Sequence, residues 1–477
     1  MWNFQPSVNL VKGGAGYVGG PTMAVIADHC PNLQITVDDS NRDNIKKWNS
    51  PSIKNLPFFE AGLEEIILRV RNKNLYFSSN VNETIINSDM IFLCVNTSKK
   101  NKGFGVGQAS DLKWVESCAR QVSSYSKGHT FVIEKSTLPV RTAESIKTIL
   151  NSSNLVEKNH KTFSVLSNPE FLSEGPAIND FNKPDRVLIG VEEKKPIEAL
   201  ENIILKWIPN QKIIKTNLWS IELSKLTANA FLAQRISSIN SIAEFCKSTG
   251  GNMGEVVNAI GTDQRIGADF LSACLGFRGS CFKKDISNLV CLSIHFVLSE
   301  VAEYWNCVIK LNEWQKLRIS KLIVHNLFGT LRGKSITILG FAFKANTNDT
   351  IQSAAIDISK NLLEEGANLI IHDPKVSEDQ IFSELAIKLR KLKNIQDSNT
   401  YKGAGIKENN LNKSFVNVYE ILILTEWGIY KKINWKTVEK IIRKRCWFFD
   451  IRSIVDLKEI KNTNLNFWKI GDGIIKS

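Results

Sequence analysis

A glycine-rich turn near the start of the chain constrains the fold more than any other feature of the sequence. The apolar run Val8–Val11 leads into residues 14–19, Gly-Ala-Gly-Tyr-Val-Gly, and then into a helix-like stretch over 22–29. A second strand-like run, 33–37, is followed by an acidic pair that ends at Asp39, 20 positions after Gly19. Three glycines between a strand and a helix, with an acidic residue closing the next strand, are typical of a dinucleotide-binding sheet.

Each position of this turn has a physical reason. Gly14 permits a tight turn, Gly16 lets the backbone approach a pyrophosphate, and Gly19 lets the helix pack closely on the strand. The helix N-terminus supplies N–H donors for the phosphates. Asp39 would accept hydrogen bonds from the adenine ribose and repel a 2′-phosphate, which predicts NAD rather than NADP. The predicted cofactor contacts here are Gly14, Ala15, Gly16, Tyr17, Val18, Gly19 and Asp39.

Three further strand-like runs end in polar residues. They cover 90–95, 130–133 and 163–166. Ligands of open parallel sheets bind beyond the carboxyl ends of the strands, so these ends should face the cofactor. Glu170 and Glu174, four residues apart on a short helical turn, share one face. The predicted contacts after these strands are Val95, Asn96, Thr97, Ser136, Thr137, Glu170 and Glu174.

The middle of the chain, from about 219 to 313, has a helical pattern. Lys225 and Asn229 are four residues apart and therefore share one helix face. Apolar neighbours, among them Leu226 and Ala230, favour partial burial of that face. This helical pattern predicts that the segment connects two lobes and also forms a subunit interface.

Cys281 stands in the run Gly-Ser-Cys-Phe-Lys-Lys-Asp, where a glycine-bearing loop leads into a helical segment. A thiol near a helix N-terminus and near cations favours the nucleophilic thiolate. An inert core thiol is the alternative, and this context favours the nucleophile. The other eight cysteines are dispersed without CxxC pairs, which predicts no metal site and a reducing compartment.

The charge balance is basic, with a formal net charge of +13. Residues 381–477 hold 19 Lys and Arg against 10 Asp and Glu, nine of the thirteen excess charges. No aromatic stacking pattern accompanies the basic run 443–445, so a solvated basic face is favoured over a nucleic-acid site. No apolar run approaches the length of a membrane span, and the first residues lack a signal-peptide pattern, which predicts a cytoplasmic protein without membrane contact.

The last third repeats the strand–helix alternation. Residues 335–340, 368–374 and 421–424 are strand-like, which predicts a second parallel sheet. We therefore expect an α/β protein with two doubly wound, Rossmann-like domains joined by a long central helix. The predicted domains are a dinucleotide-binding domain over 1–217, a helical connector with dimerisation contacts over 218–329 and a nucleotide-binding domain over 330–477.

Several long motifs resemble the UDP-glucose 6-dehydrogenase family, particularly its animal members. The match extends along nearly the whole chain, over residues 14–22, 134–141 (EKSTLPVR), 167–172 (SNPEFL), 228–240 (ANAFLAQRISSIN), 263–267 (DQRIG), 279–282 and 339–344 (LGFAFK). The resemblance implies a homo-oligomer, a hexamer built from dimers. It also implies a two-step oxidation of UDP-glucose to UDP-glucuronate that consumes two NAD.

The resemblance further implies individual roles. Cys281 would attack the aldehyde intermediate to form a thiohemiacetal, which is oxidised to a thioester and hydrolysed. Lys225 and Asn229 would stabilise the developing oxyanion. Glu170 would be the general acid/base, assisted by Thr137 and Asp285 through a water molecule.

The remaining predicted contacts concern the nucleotide sugar. Glu174 would lie beside the nicotinamide, and Arg265 would contact the diphosphate bound to a neighbouring subunit. The second lobe would hold the nucleotide. The full predicted set of substrate contacts is Glu170, Phe171, Leu172, Glu174, Lys225, Asn229, Arg265, Phe270, Gly276, Phe277, Phe343, Lys344 and Arg452.

The chain departs from the family pattern at five positions, and a lysine also stands at the end of the first strand. The departures replace a glycine, two arginines, a lysine and a proline. They are Arg278, Ile351, Asn44, Ser272 and Ser98, and the strand-end lysine is Lys12. They keep two alternatives open: a weakly active homologue with a structural or regulatory role, and a dehydrogenase of another nucleotide sugar.

Overall fold

A computed structural model of the chain describes most of the sequence. The residues it describes are 8–11, 14–95, 97, 100, 102, 106, 109–152, 161–172, 175–191, 194–277, 281–386 and 404–475. The chain divides into two compact units. The first is Met1–Ala228 with Ser287–Phe296, and the second is Asn229–Ile286 with Val297–Ser477.

The first part of the chain alternates strands and helices. Its strands are β1 (Val8–Val11), β2 (Ile35–Asp38), β3 (Leu75–Ser78), β4 (Met90–Leu93), β5 (His129–Glu134), β6 (Thr162–Ser167), β7 (Val187–Gly190) and β8 (Ile213–Thr216). Its helices are α1 (Gly19–His29), α2 (Arg42–Trp48), α3 (Leu63–Val70), α4 (Val81–Ile86), α5 (Lys113–Tyr125), α6 (Thr142–Ser152), α7 (Ala177–Asn182), α8 (Lys194–Ile204) and α9 (Leu218–Thr249).

The rest of the chain adds helices and a second set of strands. The helices are α10 (Met253–Gly261), α11 (Phe282–His295), α12 (Ser299–Asn326), α13 (Ala354–Glu364), α14 (Glu378–Leu385), α15 (Trp435–Glu439) and α16 (Leu457–Ile460). The strands are β9 (Ser335–Leu339), β10 (Asn368–His372), β11 (Gly405–Lys407), β12 (Glu420–Ile423), β13 (Trp447–Asp450), β14 (Asn466–Lys469) and β15 (Gly473–Ile475).

The first unit is built on a sheet whose described strands run in the order β3-β2-β1-β4-β5-β6-β7-β8. All neighbouring pairs are parallel except β6 and β7, which meet antiparallel at Ser167 and Gly190. The four residues of β4 are all buried, as a parallel strand covered on both faces requires. The strand order reverses direction between β1 and β4, and such a switch point opens a crevice at the carboxyl ends of the strands.

The second unit repeats this plan. Its described strands run in the order β11-β10-β9-β12-β13-β14-β15, and only the last pair is antiparallel. The switch point lies between β9 and β12. A buried core that includes Phe341, Trp435 and Trp468 packs against this sheet.

The predicted fold class is confirmed: two doubly wound α/β sheets are present, together with a long helix. Helix α9 has 32 residues and begins at Leu218, beside the predicted start of the helical segment. The predicted domain boundaries stay predictions. Over the residues that the structure describes, no helix combines the length and the apolar character needed to cross a membrane.

Candidate active site

The glycine-rich turn joins β1 to α1 as the sequence predicts. A Cβ atom on Gly19 would clash with the carbonyl oxygen of Gly14, so only glycine permits this approach of helix and turn. Ala15 is fully buried, and its carbonyl oxygen accepts a hydrogen bond of 2.9 Å from Nε1 of Trp48. The turn is therefore held in a fixed shape at the start of a helix, which suits a pyrophosphate.

Asp39 directly follows β2, the neighbour of β1 in the sheet. Its side chain is buried, and Oδ1 accepts a hydrogen bond of 2.8 Å from the backbone N–H of Asn41. The carboxylate therefore stands at the carboxyl end of the strand next to the glycine turn. A dinucleotide ribose occupies this place in sheets of this type.

The polar residues after β4 and β5 are tied to one another. The hydroxyl of Ser136 donates to the carbonyl of Val95 at 2.8 Å, and the hydroxyl of Thr97 donates to the carbonyl of Thr137 at 3.2 Å. The structure thus brings four of the predicted cofactor contacts together beside the switch point of the first sheet. Asn96 and Glu174 lie outside the described residues.

Glu170 follows β6 and forms a buried ion pair with Lys225 of α9. The distance between Lys225 Nζ and Glu170 Oε1 is 3.7 Å. The ammonium group also lies 5.0 Å from the ring centre of Phe171, and the guanidinium of Arg186 lies 4.3 Å from the same ring. Glu170 Oε2 is buried and has no hydrogen-bond partner among the described side chains and backbone. Leu172 is half-buried beside them.

Two more buried ionisable groups, Glu134 and Lys135, lie at the end of β5; they belong to a predicted strand end that should face the cofactor, but they were not among the individual predicted contacts. Lys135 Nζ donates to Asn168 Oδ1 at 2.9 Å, and the hydroxyl of Ser167 donates to Glu134 Oε2 at 2.6 Å. Burial raises the pKa of the Glu134 carboxyl well above its usual value and lowers the pKa of Lys135. Their position indicated a role, because Glu134 ends a buried strand and Lys135 follows it, next to the predicted contacts Ser136 and Thr137.

Cys281 lies immediately before α11 in the second unit. Its carbonyl oxygen accepts a hydrogen bond of 2.8 Å from the backbone N–H of Asp285, the first bond of that helix. The predicted position of the thiol at a helix start is confirmed, and Cys281 is partly exposed. The N-terminal end of a helix favours a thiolate.

Asn229 and Asp285 are paired in the same unit. Asn229 Nδ2 donates to Asp285 Oδ2 at 2.6 Å, and both side chains are buried. This bond connects helix α9 with the first turn of α11, the turn that begins at Cys281. Two predicted catalytic residues are therefore fixed relative to each other and to the helix that follows the thiol.

Arg265 lies on an exposed loop after α10. It forms a two-pronged ion pair with Asp263, and its side chain is 89% exposed. Arg235 of α9 holds this loop by donating to the carbonyl oxygens of Ile266, Gly267 and Asp269. The guanidinium of Arg265 therefore lies at the surface of the second unit, on a loop held by side-chain hydrogen bonds. Phe270 follows this loop with a positive φ of 62° and is exposed.

The predicted nucleotide contacts of the second lobe follow adjacent strands. Phe343 and Lys344 come after β9, and Arg452 comes after β13. Glu426, which follows the intervening β12, pairs with the guanidinium of Arg452, whose Nε donates to Glu426 Oε2 at 2.6 Å. These residues follow the carboxyl ends of β9, β12 and β13, and a ligand crevice is expected at the switch point between β9 and β12. The sequence analysis missed Glu426, although it also closes an apolar run.

The residues that depart from the family pattern differ in their exposure and in their position in the fold. Ile351 is 46% exposed, Ser272 is exposed, and Asn44 lies in the first turn of α2. Arg278, Ser98 and Lys12 lie outside the described residues. No cluster of metal-binding side chains occurs within the described part of the chain.

Two doubly wound sheets, the first with a glycine-rich turn and a strand-end acid, define a dinucleotide-dependent dehydrogenase with a second nucleotide-binding sheet. The chain belongs to the UDP-glucose/GDP-mannose dehydrogenase family. The family's NAD binding domain matches residues 9–208, its central domain matches 219–314 and its UDP binding domain matches 337–457.

Named relatives are similar over almost their full length. The UDP-glucose 6-dehydrogenase of Bos taurus is 46% identical over 447 residues, 93% of this chain and 88% of that protein. UDP-glucose 6-dehydrogenase 1 of Arabidopsis thaliana is 43% identical over 468 residues, 96% of each. The solved UDP-glucose dehydrogenase from the hyperthermophilic archaeon Pyrobaculum islandicum is 27% identical, with a TM-score of 0.80 and 98% of each chain covered.

Proposed function

We propose that this protein oxidises the primary alcohol of UDP-glucose to a carboxylate, giving UDP-glucuronate. The observation that carries the proposal is the 46% identity, over 93% of the chain, with a UDP-glucose 6-dehydrogenase. The chain also retains every reacting group that the family resemblance implies: Thr137, Glu170, Lys225, Asn229, Cys281 and Asp285.

The first sheet has the features that NAD requires. The fixed turn after β1 would hold the pyrophosphate, and Asp39 would hold the adenine ribose. When bound, NAD accepts one hydride in each of two oxidations, the first giving the aldehyde and the second the thioester, so two NAD are consumed per sugar. The buried carboxylate of Asp39 would disfavour the additional phosphate of NADP.

Cys281 supplies the nucleophile between the two oxidations. Its thiolate adds to the aldehyde carbon, and the carbonyl oxygen becomes an oxyanion. Asn229 donates a hydrogen bond to that oxyanion, and Lys225 contributes positive charge. The position of the thiol at the start of α11 supports this role, because the helix dipole stabilises the thiolate before attack.

Glu170 is the proposed base for hydrolysis of the thioester. Its buried Oε2 has no hydrogen-bond partner among the described residues, so this oxygen is available to accept a proton from water. The water attacks the acyl carbon, the C–S bond breaks, and the thiolate of Cys281 is regenerated. Lys225 Nζ, 3.7 Å from Oε1, holds the other carboxyl oxygen of Glu170.

The second sheet is the proposed site of the uridine diphosphate. Lys344 and Arg452 provide positive charge at its switch point, and Phe343 offers an apolar face. Gly276, Phe277 and Phe270 are the proposed contacts of the sugar and its surroundings. Arg265 is proposed to reach the diphosphate of a neighbouring copy, so we propose a homo-oligomer built from dimers, a hexamer. All nine cysteines are free thiols, which supports a reducing compartment, the cytoplasm.

A second candidate is a weakly active homologue or a dehydrogenase of another nucleotide sugar. Ile351 and Ser272 favour it, because each replaces a charged side chain that the family uses near its ligands. Loss of one well-formed charged contact costs about 1–3 kcal/mol. Two such losses together would weaken binding by orders of magnitude.

The test is the absorbance of NADH after mixing the purified protein with limiting UDP-glucose and excess NAD. We expect two NADH per UDP-glucose, and Cys281→Ala should lower steady turnover at least about a thousandfold while leaving NAD binding unchanged. Cys307→Ala, which removes an exposed thiol of α12, is the matched control and should behave as wild type. Absence of NADH with UDP-glucose, but not with UDP-N-acetylmannosamine or GDP-mannose, would assign another sugar. Absence of NADH formation with all three nucleotide sugars would favour a homologue with a structural role.

A further inference from the structure

Three buried carboxamide side chains hold the segment that precedes Cys281. They belong to Asn240 of α9 and to Asn312 and Gln315 of α12, and each is at most 2% exposed. The segment they hold, residues 274–277, has no regular secondary structure. Side chains therefore provide the hydrogen bonds that a strand partner would otherwise provide.

Asn312 forms hydrogen bonds with both backbone polar groups of one residue of this segment. Its Oδ1 accepts a hydrogen bond of 2.8 Å from the backbone N–H of Phe277, and its Nδ2 donates to the carbonyl oxygen of Phe277 at 3.2 Å. A β-strand partner makes the same pair of bonds in a sheet. One side chain thus fixes both the position and the direction of the backbone at Phe277.

The other two amides hold the beginning of the segment. Asn240 Oδ1 accepts from the backbone N–H of Cys274 at 2.8 Å, and Gln315 Nε2 donates to the carbonyl oxygen of Cys274 at 3.0 Å. Both backbone groups of Cys274 and both of Phe277 are therefore bonded to buried amides. Neutral amides achieve this without the desolvation cost of buried charges.

Gly276 is required by the same arrangement. It has a positive φ of 109°, and a Cβ atom at this position would clash with Oδ1 of Asn312. Any other residue would be strained and would displace the amide. The glycine and the asparagine therefore act together to shape the backbone at Gly276 and Phe277, five and four residues before the proposed nucleophile.

We propose that Asn312 is a positioning residue for the sugar-binding segment, acting through Phe277 and Gly276, with Asn240 and Gln315 in support. The inference rests on the proposed function, in which this segment contacts the sugar and Cys281 attacks it. Asn312 touches no reacting atom. Its effect is on where the segment presents its backbone at Phe277.

The test compares Asn312→Ala with Ser320→Ala. Ser320 is similarly buried on the same helix, and its hydroxyl bonds to the carbonyl oxygen of Lys316 and to Asn361. Asn312→Ala should raise KM for UDP-glucose at least about tenfold and leave KM for NAD within about twofold, because only the sugar segment loses its partner. Ser320→Ala should change neither KM, even if it lowers the melting temperature equally.

A second readout does not need turnover. The rate at which iodoacetamide alkylates Cys281, followed by peptide mass spectrometry, should change at least about fivefold in Asn312→Ala and stay unchanged in Ser320→Ala. If wild type produces NADH but the two variants share the same KM values and the same alkylation rate, the positioning role is wrong. If wild type produces no NADH with any sugar, the proposed function fails, and equal alkylation rates in the two variants would then overturn this inference separately.

Discussion

At the scale of single residues, the carboxyl group of Glu420 shows how burial sets a protonation state. Glu420 begins β12 and is fully buried, and neither carboxyl oxygen has a hydrogen-bond partner in the described part of the chain. Burial raises the pKa of this carboxyl well above its usual value, partly offset by the positive charge of Lys334. The folded protein therefore keeps this proton at pH values where the unfolded chain has lost it.

The consequence is a loss of stability as the pH rises. The contribution of Glu420 is fully present below the unfolded pKa of about 4.5 and decreases as the pH rises toward the folded pKa. Glu420→Gln removes the ionisation, so the difference in free energy of unfolding between the variant and wild type should shift in favour of the variant as the pH rises from 5 to 8. Urea unfolding at pH 5, 6.5 and 8 measures this difference.

Glu459→Gln is the control, because Glu459 is exposed on the short helix α16. The free energy of unfolding of this variant should stay within about 0.5 kcal/mol of wild type at all three pH values. A gap between Glu420→Gln and wild type that does not depend on pH would show that the Glu420 carboxyl is not held protonated by the fold.

Residues that act through local sequence could be predicted, and those that act through distant contacts could not. Gly19 and Cys281 stand in short motifs whose neighbours carry the physical reason for their place. Asn312 bonds a residue 35 positions away, and Glu222 bonds residues 79 and 81 positions away. A neutral amide on a helix has no local signal, because its partner is set by how the helices pack.

At the scale of elements, helix α6 depends on a side chain from another helix. Glu222 of α9 accepts hydrogen bonds from the backbone N–H groups of Arg141 at 2.7 Å and Ala143 at 2.9 Å, at the start of α6. These are donors that a helix start leaves without intrahelical partners. Burial raises the pKa of Glu222 to about 7, although both bonds act to lower it. The same loop carries Thr137, one of the proposed reacting groups.

Glu222→Ala should therefore loosen both the helix start and the loop. We expect the free energy of unfolding to fall by about 2–3 kcal/mol, since two buried N–H groups lose their acceptor. Turnover should fall about tenfold or more, and a double variant with Thr137→Ala should lose much less than the product of the two single effects. Chemical denaturation and steady-state NADH formation measure the two quantities.

Glu144→Ala provides the comparison, because Glu144 is an exposed acid in the first turn of the same helix. It should cost no more than about 0.5–1 kcal/mol through the helix dipole and leave turnover unchanged. Multiplicative effects of Glu222→Ala and Thr137→Ala would mean that Glu222 does not act through the Thr137 loop.

The main elements were predictable because their patterns are long or strongly apolar. The run 421–424 corresponds to β12 at Glu420–Ile423, and 335–340 corresponds to β9 at Ser335–Leu339. Strand β8, with an exposed Ile214, and the three-residue β11 carry too few buried positions to show a pattern, and β15 has only three residues. The antiparallel contact of β6 with β7 is a single residue pair, which depends on tertiary packing alone.

At the scale of the whole molecule, each of the two units has its own sheet, its own buried core and its own switch point. The core that includes Phe341 and Trp468 belongs to the second unit, and the cores around Ile35 and Val132 belong to the first. A crevice at a switch point is formed by the strands of its own sheet. Each unit is therefore expected to recognise its nucleotide with residues of that sheet.

This predicts that the two nucleotides protect different peptides from hydrogen exchange. NAD alone should slow exchange in the turn over 14–20 and in the loop after Asp39, because pyrophosphate and ribose bind there. UDP alone should slow exchange over 341–345 and around Arg452, whose guanidinium is already oriented by Glu426. NADP is the control. Because of the carboxylate of Asp39, the concentration of NADP needed to protect 14–20 to the same extent should be at least about tenfold higher than that of NAD. Protection of 14–20 by UDP, with 341–345 unaffected, would show that the nucleotide preferences of the two sheets have been assigned the wrong way round.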